Sequence, residues 1–212
     1  MRVFIGVYWG ARREDITQCT SRLERHFATM AKTSGLLCHW YHGSRRRPTP
    51  DLIVDTGSPE GAAELLKRGV NRKDSDRQIM PDLGFMVGLW NGVAGGWSAG
   101  TSVNCGLYSK NKNLSNVANL NIEAEDAVAP SPAMMVDLLE RLIEVWEPES
   151  GRVEQRYMSP YEGDEIPEGE DILYASYSTS GKAETGAAGT IVSREPGRLW
   201  VSANTTWRTP SV

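Results

Sequence analysis

The spacing of apolar positions changes several times along the 212-residue chain, and each change marks an element. Val3, Ile5 and Val7 alternate with Phe4 and Tyr8 and are closed by Gly10, which predicts a strand buried on at least one face. From Glu14 to about Lys32 the period lengthens: Ile16, Cys19, Leu23, Phe27 and Met30 recur at helical spacing. Glu14 and Asp15 are expected in the first turn of this helix, where its dipole favours acids, and Gly35 ends it. Leu36 to His42 reads as a second strand, broken by Arg45-Arg-Arg-Pro-Thr-Pro. Ser58 as N-cap, Pro59 at the first helical position and Gly69 just past the end bracket a short helix over Glu60 to Arg68.

A polar loop from Asn71 to Pro81 leads into Leu83 to Trp90, a turn through Asn91-Gly92 and Gly95-Gly96, and Thr101 to Tyr108, which predicts antiparallel neighbours. Asn116 to Ile122 alternates again. Ser131-Pro132 then opens the clearest helix. Met134, Met135, Leu138, Leu139, Leu142, Ile143 and Trp146 form its apolar face, Asp137, Glu140, Arg141, Glu144 and Glu147 its polar one, and Pro148 stops it. Further strands are expected at Val153 to Met158, Ile172 to Tyr177, Thr190 to Ser193 and Leu199 to Ala203, with Pro160 to Asp171 and Ser178 to Gly189 as loops. Strands in runs, with helices at three places, predict an α+β fold: one domain over residues 1–212, a largely antiparallel sheet and about three helices packed on it.

Composition adds little until it is split by position. A formal charge of −4 argues against a protein that coats nucleic acid or an anionic membrane. Residues 121–171, however, hold 15 Asp/Glu and three Lys/Arg, a local charge of −12, whereas residues 1–77 are basic. Such a block keeps surfaces soluble, and it also suits electrostatic docking to a basic partner. Three cysteines, Cys19, Cys38 and Cys105, match neither a disulfide framework nor a zinc spacing. The start is too short in apolar residues for a signal peptide and no window suits a membrane span, so a reducing cytoplasm is the expected compartment.

Candidate chemistry mostly fails on context. Gly96-Trp97-Ser98-Ala99-Gly100 fits the nucleophile-elbow pattern G-x-S-x-G, but a strand rather than a helix follows it, and His26, His39 and His42 all precede it. A plain glycine-rich turn accounts for those letters. Asp55-Thr56-Gly57 resembles the aspartic-protease triplet, yet that chemistry needs a second carboxylate of the same kind and none exists; a strand end and N-cap explain it. His39 and His42 would point to opposite faces of a strand, and Cys105 reads as a core thiol. Neither a P-loop nor a strand followed by G-x-G-x-x-G is present, and no cofactor is expected. Of seven tryptophans, Trp9, Trp40, Trp90 and Trp146 fall in regular elements and read as core, while Trp97, Trp200 and Trp207 fall in or near turns, where exposed indoles serve as interface anchors.

An ordered series of motifs runs through residues 3 to 177: Tyr8-Trp9-Gly10, an Arg/Glu-rich helix start with Cys19 inside the helix, Trp40-Tyr41, Asn71-Arg72, Pro81-Asp-Leu-Gly84-Phe, Leu89-Trp90-Asn91-Gly92, Val103-Asn-Cys105-Gly106 and Trp146-Glu-Pro148. The series resembles the immunity protein 52 family of bacterial polymorphic toxin systems. The resemblance implies an α+β inhibitor encoded beside a toxin whose nuclease domain has a restriction-endonuclease-like fold, often delivered between bacteria by a type VI apparatus. Trp9, Gly10, Gly84, Trp90, Asn91, Gly92, Cys105, Gly106 and Trp146 match the family pattern and read as fold determinants, not as catalytic groups.

One physical point joins the two readings. A nuclease presents a positive surface to phosphates, so its inhibitor gains from a negative one. The expected toxin-binding set is Glu140, Glu144 and Glu147 on the last helix, Asp164, Glu165, Glu168, Glu170 and Asp171 in the following loop, and Trp97 as an anchor. The partner is then a toxin with a basic nuclease domain, with no direct contact to nucleic acid or membrane. Two alternatives remain at this point: a small hydrolase using Ser98 or Asp55, and an acidic regulatory or scaffolding module.

Overall fold

The first strand becomes the middle of the sheet. The computed structural model describes residues 1–43, 49–156, 172–180, 188–204 and 206–207. Within them β1 (Arg2–Trp9) pairs antiparallel with β5 (Asn116–Ala124) on one side and β6 (Ser150–Arg156) on the other. Beyond β5 lie β4 (Trp97–Cys105), β3 (Phe85–Trp90) and the two-residue β2 (Tyr41–His42); beyond β6 lie β7 (Ile172–Ser178), β9 (Gly197–Ser202) and β8 (Gly189–Arg194). Every pairing in this nine-stranded sheet is antiparallel, and with α1 (Ile16–Thr33), α2 (Pro59–Arg68) and α3 (Pro132–Trp146) the fold is α+β, as the order of elements implies.

Strand alternation sorts side chains between two unlike faces. Val3, Ile5, Val7 and Trp9 of β1, with Ala118, Leu120 and Ile122 of β5 and Ala99 and Val103 of β4, form one core with Leu23, Phe27 and Met30 of α1, Leu65 and Leu66 of α2 and Leu138, Leu139 and Leu142 of α3. The three helices therefore share one side of the sheet. The opposite side, called the open side below, carries no helix among the described residues, and one cross-strand row across it reads Gly88, Ser102, Asn119, Gly6, Arg152, Ser176, Trp200, Ile191. Phe4 lies on this open side yet is buried, because the Arg156 guanidinium sits 3.8 Å from its ring centre and that of Arg152 5.9 Å from it. Gly6 makes that possible: a Cβ there would stand 2.6 Å from the Phe4 ring and 2.7 Å from the Tyr8 hydroxyl.

Several boundaries differ from the expected ones, each for a local reason. Asp15 is the N-cap of α1, in a reciprocal pair with Gln18 (2.9 Å each way), so Glu14 and Asp15 precede the first turn. The helix ends at Thr33, before Gly35. Of the strand expected over Leu36 to His42 only Tyr41–His42 forms; its start lies in a 3-10 turn, Gly35–Leu37, because Leu37 and Trp40 both enter the core and the Trp40 indole donates to the Leu37 carbonyl at 3.0 Å. β4 begins at Trp97, so the segment read as a glycine-rich turn is already strand. Trp97 falls on the inward register, is 4% exposed and donates to the Val128 carbonyl. It is not the exposed anchor expected of it. Trp200 is likewise buried, whereas Trp207 is half-buried and Trp90 lies partly exposed on the open face.

Gly84 and Asn91 show how the motif residues act. Gly84 has φ +62°, and a Cβ would meet the Cys105 carbonyl at 2.2 Å. Buried Asn91 accepts from the amides of Ala99 (2.8 Å) and Val93 (3.2 Å) and donates to the carbonyls of Trp97 (3.1 Å) and Leu36 (3.3 Å), closing the β3 to β4 connection. Cys105 is a core thiol; its contact with Cys19, together with burial, pushes it well above the ordinary thiol range.

His26 is wholly buried under the sheet. The Trp146 indole donates to its Nδ1 at 3.2 Å, and an indole only donates, so Nε2 carries the ring proton and donates to Thr101 Oγ1, also 3.2 Å away. Thr101 passes its own proton to the Asn119 carbonyl at 2.7 Å. With both nitrogens used and the ring wholly buried, desolvation pushes the imidazole pKa down to about 3 from 6.5. Below pH 6.5 the unfolded chain takes up a proton that the folded one refuses until about pH 3, so His26 lowers stability by about 1.4 kcal/mol per pH unit across that window. Denaturant titrations at pH 7 and pH 4.5 check this: His26→Gln should lose clearly less stability on acidification than the native chain, and equal losses would contradict the assignment.

Candidate functional site

α3 forms because Ser131 caps it (Met134 amide to Ser131 Oγ, 3.2 Å) and because its apolar stripe docks on β1 and β6. That docking turns Asp137, Glu140, Arg141 and Glu144 outward at helical spacing. Arg141 holds Asp137 through two bonds, 2.8 and 3.3 Å, and both side chains remain about half exposed. Glu144 is exposed and Glu140 half-buried. Two of the acids expected to act together on this helix are thus brought to one surface.

Glu147 is different. It sits one residue past the helix at φ 47°, and its carboxylate accepts from Arg22 at 2.7 Å, which holds the carboxyl below the usual range. Arg22 also binds Glu14 at 2.7 Å and the Val145 carbonyl at 2.6 Å, while Arg12 reaches the carbonyls of Trp146 (2.8 Å) and Glu147 (3.3 Å). Two guanidiniums therefore supply the donors that the last carbonyls of α3 lack and place positive charge at the negative end of its dipole. Burial alone would lower the Arg22 pKa, but Glu147 and Glu14 outweigh it and raise it. This cluster was not singled out in the sequence, where Glu14 and Arg22 are eight apart and look like two surface residues.

The five loop acids, Asp164, Glu165, Glu168, Glu170 and Asp171, lie outside the described residues. Their flanks do not: β6 ends at Arg156 and β7 resumes at Ile172, next to Tyr174 and at the end of the sheet where α3 starts. At that end lies a groove of about 290 Å³ between α3 and the strands, lined by Ala133, Val136, Asp137, Glu140, Tyr174 and Val201 among others. The Trp207 ring stands edge-on to Tyr174, with ring centres 4.4 Å apart, and its indole donates to the Pro130 carbonyl. The strand residues of this groove lie far from α3 in sequence, so no spacing in the chain announces it; on α3 only the step from Ala133 and Val136 to Asp137 and Glu140 hints at an apolar floor beside an acidic rim.

The two residues considered for hydrolysis are placed otherwise. Ser98 lies on the open side of β4, opposite Glu123, whereas His26 meets the other side of the same strand at Thr101. His39 and His42 are both exposed, and His42 lies 3.4 Å from Arg68. Asp55 is an exposed turn residue: it accepts from Gly57 at 3.1 Å and from the Ser58 hydroxyl, which lowers its pKa, and Ser58 in turn caps α2. Among the described residues no three His, Cys, Asp or Glu side chains converge on a metal site, and no helix is long and apolar enough to cross a membrane.

With this geometry in place, comparison with known families is decisive at the level of class. Residues 2–180 match the model of immunity protein 52, and the chain belongs to that family of immunity proteins, whose partners are cognate toxins. No curated protein matches the chain. The match covers β1 to β7 and all three helices, hence both the acidic face of α3 and the arginine cluster at its end.

The two ends of the ion cluster should differ sharply. Glu14 has 5% of its side chain exposed and Glu147 67%. Arg22→Ala takes the hydrogen-bonded partner from a buried carboxylate and leaves only Arg12, 3.3 Å away, so it should cost about 1.5–3 kcal/mol, whereas Glu147→Ala removes an exposed partner and should cost under about 1 kcal/mol. Urea unfolding of both variants measures this, and an Arg22→Ala variant as stable as the native chain would rule it out.

Proposed function

We propose that this chain protects its cell by binding a cognate nuclease toxin through an acidic surface and covering the site where that toxin binds nucleic acid. Membership of an immunity family supplies the activity and the class of partner. The observation that carries the rest is the outward row of Asp137, Glu140 and Glu144 on α3, in the segment that holds most of the chain's negative charge. Asp164, Glu165, Glu168, Glu170 and Asp171 extend the surface in this reading, and Glu147 contributes from its edge while bound to Arg22. Trp97 takes no part, being buried.

The physical logic is that of a decoy. A nuclease gathers positive charge where phosphates bind, so a negative surface on the inhibitor accelerates encounter and then excludes the substrate sterically. Nothing in this requires catalysis, cofactor or contact with nucleic acid. The cytoplasm, where a nuclease delivered by a type VI apparatus would meet its substrate, is the compartment in which the chain would act. The hydrolase reading has little left: Ser98 and His26 face opposite sides of β4, and Asp55 is an exposed turn residue.

Charge reversal tests the surface. Glu140→Lys with Glu144→Lys, or the five loop acids changed together to Lys, should lower the association rate with the purified toxin domain about tenfold at low salt and reduce protection in co-expressing cells. The difference should shrink as ionic strength rises. Unchanged association and protection would reject the acidic docking surface. Ser98→Ala and Asp55→Ala should each protect as well as the native chain, and loss of protection in a folded variant would revive the enzyme.

A further inference from the structure

We infer that the groove at the start of α3 is an anchor subsite that receives one lysine or arginine side chain of the toxin. The inference rests on the docking surface proposed above and gives it a defined point of attachment. At about 290 Å³ the groove falls just under the roughly 300–1,000 Å³ of small-molecule sites, a size for a side chain rather than a nucleotide or cofactor. Its lining is divided: Ala133, Val136, Tyr174 and Val201 offer an apolar floor, and Asp137 and Glu140 stand on one wall. Long basic side chains have this same division, an aliphatic stem below a charged head. A phosphate or carboxylate would meet those two acids unfavourably, and a purely apolar side chain would leave them without gain.

The chain itself shows that Asp137 takes a guanidinium. Arg141 approaches it through two nitrogens, at 2.8 and 3.3 Å, in an exposed pair at i, i+4. Exposed pairs of this kind are weak, so a partner's cation that also buries its stem replaces or joins Arg141 at little cost. The groove adds what a flat acidic face lacks: a concave, partly apolar place in which one residue is held out of water, the setting in which a single side chain dominates an interface.

The test uses the full chain and the purified, catalytically inactivated toxin domain encoded beside it. Ala133 is exposed on the first turn of α3, so Ala133→Trp fills the groove without touching the core. It should raise the dissociation rate at least tenfold while the melting temperature stays within a degree or two. Asp137→Asn with Glu140→Gln, which keeps shape and removes charge, should weaken binding to a similar extent. Binding unaffected by both changes, with association still slowed by Glu144→Lys outside the groove, would overturn the subsite and leave the acidic surface standing. A native chain that binds no toxin would overturn the surface itself. Two further results also reject a toxin side chain as occupant: a native dimer that Ala133→Trp dissociates, seen by light scattering, or toxin affinity that rises when residues 208–212 are removed.

Discussion

The architecture turns on how the end of α3 is held. Trp146 stacks on Trp9 with ring centres 5.1 Å apart, and its one indole proton goes to His26. The carbonyls around it go to Arg12 and Arg22, the latter fixed by buried Glu14. One residue thus ties the central strand, the first helix and the last helix together, with every polar group on it satisfied away from water. If this junction shifted, α3 would turn about its axis and its outward carboxylates would no longer form a row. The family pattern at Trp9, Gly10 and Trp146 is therefore about aim: the two indoles are buried and Gly10 half-buried, and yet they decide where the acids point.

How much of this is legible in the sequence depends on whether the signal is periodic or pairwise. The three helices and most strands follow from spacing and caps, since Ser58, Pro59, Ser131 and Pro132 act within a turn of where they stand. The second strand misleads because Leu37 and Trp40 are apolar for tertiary reasons, and a 3-10 turn followed by irregular chain buries them as well as a strand would. Trp97 misleads because neighbouring glycines suggest a turn, while its register against Ala124 sends the ring inward. The Glu14 and Arg22 cluster and the groove at the start of α3 depend on segments more than a hundred residues and some forty to seventy residues apart, respectively, and no local pattern encodes such meetings. Charge, by contrast, was legible as a total over residues 121–171 but not in its division: Asp137, Glu147 and Glu154 are engaged by arginines within the chain, whereas Glu144 stands on the exposed face.

The two faces of the sheet solve different problems. The helical side is a conventional apolar core and presents the charged α3 surface beyond it. Among the described residues the other side carries no helix, and its one large apolar side chain on the central strand, Phe4, is roofed by Arg152 and Arg156 instead. Those guanidiniums are anchored by Glu154, 3.2 Å from Arg152 and 3.4 Å from Arg156, itself almost buried. From Gly88 to Ser176 the cross-strand row is small or polar, and only its far end, Trp200 and Ile191, is apolar. A sheet finished in this way tolerates water on one side and leaves the acidic side distinct in sign.

Placing the first strand at the centre has a consequence in time. β1 has no partner of its own until residues 116–124 have been made, and its second neighbour ends only at residue 156. A ribosome must therefore synthesise about three quarters of the chain before the middle of the sheet can close, and folds dominated by such distant pairings close slowly. Protection begins with complete molecules rather than nascent ones. A cell that makes the toxin needs a standing stock of finished inhibitor, because synthesis started on demand would lag the threat.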